Sequence, residues 1–130
     1  MEIKEAMEKS YFATMIFFIL HEIDAAFWKE WDMFLIPGGI QGFLVFNIIV
    51  LPIVIWGFRH VVMSSSKAKY YAYFCASLGL LTFLVHTGFF LAGHDQFKLP
   101  LSVAVIFGCL LGSLWQFTQI KRFVSEQQLA

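Results

Sequence analysis

The sequence predicts an all-α fold, an integral membrane four-helix bundle built from two hairpins that run in the same direction. Hydrophobic residues make up 59% of the chain and charged residues only 14%, with sixteen Phe among 130 residues. That is more apolar surface than a soluble domain of this length can hide. Four apolar runs approach or reach the ~20 residues that a helix needs to cross a bilayer core. The connections between them are short, so the chain reads as a single transmembrane domain, with helices at about 9–27, 40–58, 70–93 and 101–120.

The first span carries Glu22 and Asp24, and no small-x-small site follows them, so it reads as a retained helix rather than a cleaved signal. The second and fourth spans each follow a proline, Pro37 and Pro100, which a first helical turn tolerates. The fourth contains Gly108-x-x-x-Gly112, a small-residue packing face. Cys75 and Cys109 stand alone in their helices, without the paired spacing of a disulfide-exchange enzyme. Net charge is zero, and no basic patch points to nucleic acid.

Positive charge sets the expected orientation. Seven of the nine basic residues (Lys4, Lys9, Arg59, Lys67, Lys69, Lys121, Arg122) fall on one side, and Lys29 and Lys98 on the other. Both termini are therefore expected in the cytoplasm, and the protein in a bacterial inner membrane. Trp28 and Trp31 mark the outer interface, and Trp56, Tyr70, Tyr71 and Trp115 the inner one.

Against this frame the polar residues gather in one layer. His21 and Asp24 fall in the middle-to-outer part of the first span. His86 falls in the outer half of the third, and Asn47 reaches a similar level. His94, Asp95 and Ser102 sit at the outer end. The inner half reads as almost purely apolar, which favours an outward-facing pocket over a through-pore. Ionisable groups at such depth are costly unless paired or coordinated, so they mark a candidate site.

The two halves also share a pattern: His21 … Asp32-Met33-Phe34-Leu35-Ile36-Pro37 … Trp56-Gly57-Phe58, and His86 … Asp95-Gln96-Phe97-Lys98-Leu99-Pro100 … Trp115-Gln116-Phe117. Read as a duplicated hairpin, this is a parallel repeat about an axis along the membrane normal. His21 and His86 then approach that axis from opposite sides.

Several chemistries use such groups. His21, Asp24 and His86, with His94 or Glu22 as a further ligand, suit a transition metal such as Zn, Fe or Mn. For His94 to join, Gly93 must end the third helix and let it fold back. Asn47, Trp28, Thr87 and Asp95 are expected to line the pocket. A metal-free acid–base pair, a bis-histidine haem b on His21 and His86, and interhelical polar packing are the alternatives. Glu22 stands about 100° round the helix from His21, placed for a sideways partner or a contact in a homo-oligomer or larger membrane complex. Lys29, Glu30 and Asp32 read as a solvated outer loop that lends the pocket mouth a negative field. The same pocket serves an enzyme acting on a lipid-like molecule, or a small sensor or transport subunit.

The stretch His21-Glu22-Ile23-Asp24-Ala25-Ala26-Phe27-Trp28-Lys29-Glu30-Trp31 resembles a family of small bacterial four-helix membrane proteins of unknown function. Those carry an H-E-I-[DE]-x-x-x-W-x-E-W signature. The resemblance implies that His21, Glu22, Asp24, Trp28, Glu30 and Trp31 act as a unit; it implies no activity and no metal. The likeness to four-helix sterol-isomerase-type proteins is architectural only.

Overall fold

The computed structural model describes residues 1–130. It contains four long helices, α1 (Ile3–Phe27), α3 (Ile40–Val62), α4 (Ala68–Leu91) and α5 (Pro100–Leu129), and a four-residue helix, α2 (Glu30–Met33). All four long helices are long and apolar enough to cross a membrane. Each extends beyond, or starts close to, its expected bounds. The largest extension is in α5, whose 30 residues span about 45 Å at 1.5 Å each. This exceeds the ~30 Å hydrocarbon core and carries Lys121 and Arg122 beyond it.

The helix starts follow their residues. Pro100 opens α5 at its first turn, where its missing N–H costs nothing. Pro37 behaves differently from expectation. It lies in a turn, and α3 begins only at Ile40, after Gly38 (φ +87°) and Gly39 (φ +56°) have carried the chain through left-handed conformations. Glycine adopts those angles without steric cost.

Close approach fixes how the helices pack. A Cβ on Gly108 would strike the Phe17 ring, and one on Gly112 would lie 3.0 Å from Thr14 Oγ1. The small-residue face of α5 therefore packs on α1 within the chain, antiparallel to it. A Cβ on Gly57 of α3 would collide with the Tyr11 hydroxyl and Tyr71. Helices α1 and α4 run parallel across the middle of the bundle: Gly79 packs on Thr14, and His86 meets His21 at the same offset of 65 residues. With alternating directions, both termini lie at one end of the bundle and the α1–α3 and α4–α5 connections at the other.

The larger core cluster fills the end near the termini, with Met7, Tyr11, Phe18, Val54, Cys75 and Ile120 among its members. A smaller one (Ala25, Phe43, Phe97, Ile106) closes the opposite end. Side chains such as Ile48 and Leu111 point outward, fully in keeping with a lipid-facing surface. The half of the bundle near the termini, expected from the sequence to be almost purely apolar, is not. Ser10, Thr14, Ser113, Gln116 and Gln119 are all buried. Gln116 Nε2 ties α5 to α4 by donating to the Ala72 carbonyl (3.0 Å), and the Tyr11 hydroxyl ties α1 to α3 by donating to that of Val54 (2.7 Å), whereas Thr14 Oγ1 donates within α1 to the Ser10 carbonyl (3.0 Å). Sequence windows dominated by Leu and Phe conceal such short or single polar side chains.

Candidate metal centre

The parallel register of α1 and α4 levels two imidazoles at the end of the bundle away from the termini. His21 and His86 are buried at 2% and 6% exposure, and their Nε2 atoms stand 3.3 Å apart. The two histidines expected to meet do meet.

The carboxylate that joins them is Glu30. Lys29 takes a left-handed conformation (φ +53°) and turns the chain back immediately after α1. The first residue of α2 thereby points under the bundle end rather than into solvent. Trp31 anchors this turn against Phe43, ring centroids 5.5 Å apart. Glu30 is 8% exposed; its Oε2 lies 3.3 Å from His21 Nε2 and its Oε1 3.7 Å from His86 Nε2. Burial alone would raise the Glu30 carboxyl, but the two adjacent imidazoles outweigh it and hold the group at about 2. His21, Glu30 and His86 each offer one donor atom within 4.8 Å of the others.

These distances can be set against a metal's own geometry. Two nitrogens each about 2.0–2.1 Å from one tetrahedral ion lie about 3.3–3.4 Å from each other. Two of the three edges match, His21 Nε2 to His86 Nε2 and His21 Nε2 to Glu30 Oε2, whereas His86 Nε2 faces the other carboxylate oxygen, Oε1, at 3.7 Å. Two histidines and one carboxylate also leave coordination positions open, the ligand count of catalytic rather than structural sites. Haem fits poorly. Axial imidazoles on opposite faces of one iron stand roughly 4 Å apart, twice a bond of about 2 Å, with the macrocycle between them. Here the nitrogens are closer, and Glu30 occupies the flank.

The other expected site residues are distributed around this trio. Asp24 is turned away, its Oδ1 accepting from Trp28 Nε1 at 3.1 Å. Glu22 is buried, and its Oε2 has no protein partner. It lines the same cavity as the trio without belonging to it. Asn47 Nδ2 donates to the Phe43 carbonyl of its own helix. Helix α4 ends at Leu91, but Gly93 does not fold His94 back. His94 is exposed, its ring edge against Phe89 at 5.1 Å. Asp95 is also exposed and pairs with Lys98 at 2.7 Å, which holds its carboxyl below the usual range. Thr87 lines a separate cavity beyond His86.

Two functional positions were not assigned to the site from sequence. Glu30 sits in the polar run Lys29–Asp32, which reads as loop; only its place in the signature with His21 marked it. Phe97 enters the sequence reading only as the aromatic of the repeated pattern before Pro100, yet it is 4% exposed, with its ring 4.3 Å from that of His86 and 5.6 Å from that of His21. Its backbone is left-handed (φ +65°), a conformation uncommon for a bulky residue and held only where surrounding packing enforces it. Phe97 thus caps the pair from the α4–α5 side.

The cavity containing the trio measures about 210 Å³ and is lined mainly by apolar side chains. Three of them, Phe34, Phe46 and Leu81, are 42%, 40% and 55% exposed on the outside of the bundle. The cavity mouth therefore lies laterally, along the seam of α3 and α4. No curated protein and no solved structure matches this chain. A family model covers residues 7–123, nearly the full length of the bundle, and the chain belongs to that family, the Family of unknown function (DUF6713).

Proposed function

We propose that this protein binds a divalent transition metal through His21, His86 and Glu30, and uses the open coordination position on a hydrophobic, lipid-like molecule that arrives from the bilayer. The observation that carries the reading is the trio itself: three buried donors, two of whose separations equal a tetrahedral edge. Zinc satisfies that geometry most directly, and the two-histidine, one-carboxylate set equally serves Fe or Mn. The lateral, apolar mouth supports a substrate drawn from the membrane rather than from water. The setting proposed for this chemistry is a bacterial inner membrane, with the site towards the exterior. An origin of the bundle in two duplicated hairpins is part of the same proposal, and the repeated D-x-F-x-[IL]-P and W-x-F pattern supports it.

The same contacts support one second reading, in which the trio holds a proton rather than an ion. Elemental analysis and a visible spectrum of the purified protein separate the two. The metal reading expects about one equivalent of metal in the parent, and its loss in both His21→Ala and His86→Ala. A colourless parent with metal content near zero overturns it and leaves the proton-holding pair.

A further inference from the structure

The second cavity lies on the far side of His86 from the first, between α4 and α5. It measures about 370 Å³, within the ~300–1,000 Å³ usual for small-molecule sites. Four phenylalanines (Phe83, Phe90, Phe97 and Phe107) form its walls. Phe90 and Phe107 are also exposed on the outside of the bundle, so the cavity opens through an apolar outward face. Gln96 stands at its head, and its Oε1 is buried without a hydrogen-bond partner in the protein. A buried acceptor left unpaired is destabilising, and a donor supplied from the cavity would relieve it.

We propose that this cavity is a second binding site, for a single-chain apolar molecule ending in a hydroxyl group. The hydroxyl donates to Gln96 Oε1, and the chain lies along the phenylalanine walls. The donor requirement follows from the orphan acceptor. A two-chain lipid is excluded by size, because 370 Å³ is at the small end of the range for ligand pockets. A charged headgroup is excluded by the walls, which offer no ionisable partner except His86, already engaged with His21 and Glu30. The site is distinct from the proposed metal centre, although both cavities share the His86 ring.

The test uses full-length protein in detergent micelles and a photoactivatable, diazirine-bearing dodecanol. Labelling is expected to concentrate on residues 83–107. Dodecanol should protect against it at lower concentration than dodecane does. Gln96→Leu keeps the shape but removes the acceptor, so it should weaken binding by about 2- to 12-fold, the range for one neutral hydrogen bond. Val103→Trp, which fills the cavity, should abolish labelling. Both variants should retain the metal content of the parent, whereas His21→Ala should lose metal but keep the label, so the two proposals fail separately. Labelling spread evenly over the outward faces of all four helices, equal protection by dodecane, or unchanged binding in Gln96→Leu would each overturn the assignment.

Discussion

Replacing Glu30 by Gln should empty the proposed metal centre without disturbing the bundle. The two side chains have nearly the same volume, so the turn at Lys29 and the packing of Trp31 are preserved. What is lost is the negative charge 3.3 Å from His21 Nε2 and 3.7 Å from His86 Nε2. Removing a partner outside the ligand shell already weakens metal binding by about 10–100-fold, so removing a ligand should cost at least about 100-fold, or about 2.7 kcal/mol. Asp24→Asn is the informative comparison. Sequence reading places Asp24 in the ligand set, whereas its side chain is bonded to the Trp28 indole; it should bind metal within about threefold of the parent, well under the ~1.4 kcal/mol of a tenfold change. Zinc competition against a chromogenic chelator, on full-length protein in micelles, measures both. Parent-like affinity in Glu30→Gln, or an equal loss in Asp24→Asn, refutes the assignment of Glu30.

Three further outcomes are expected. In metal-free protein the Glu30 carboxyl lies at about 2, below its ordinary 4.5; its stabilising contribution is therefore complete above pH 4.5 and is lost as pH falls through about 2. The thermal midpoint should drop across that window in the parent and much less in Glu30→Gln. Gly79→Ala drives a methyl into the Ser113 hydroxyl and places it 3.0 Å from both the Cys109 carbonyl and Thr14 Cγ2, an overpacking that should destabilise by about 1–3 kcal/mol; Gly88→Ala meets nothing within 4 Å and should be neutral or stabilising by up to about 1 kcal/mol, both read by denaturant titration in micelles. Reporter fusions after Lys69 and at Ala130 should both report a cytoplasmic location, and a fusion in the α2 connection an external one.

What could be read from the sequence was whatever depends on helical geometry. Counting residues from the charged ends placed His21 and His86 at one depth, because a helix converts sequence position into height at a fixed rise. The pairing of Asp24 with Trp28 was half legible: their four-residue spacing shows a shared face, but not that the indole would satisfy Asp24 and remove it from the site. Glu30 and Phe97 were beyond such reasoning. Each owes its place to a single left-handed residue, Lys29 in one case and Phe97 itself in the other. No periodicity reports a backbone angle that tertiary packing imposes on a residue that does not favour it. His94 shows the converse, since a glycine with φ +89° precedes it, yet the turn carries it out to the surface.

The 65-residue offset that relates Thr14 to Gly79 and His21 to His86 makes length as strict a requirement as chemistry. One extra residue between positions 14 and 21 would turn His21 through about 100° and lift it by 1.5 Å, leaving every candidate ligand present in the sequence but His21 out of register with His86. Only a matching insertion between positions 79 and 86 would bring the two imidazoles back to one level. The connection between α3 and α4 carries no such obligation, since it lies at the opposite end of both helices. Within this family, gaps should therefore accumulate there and be absent from the two seven-residue windows that hold the histidines in step.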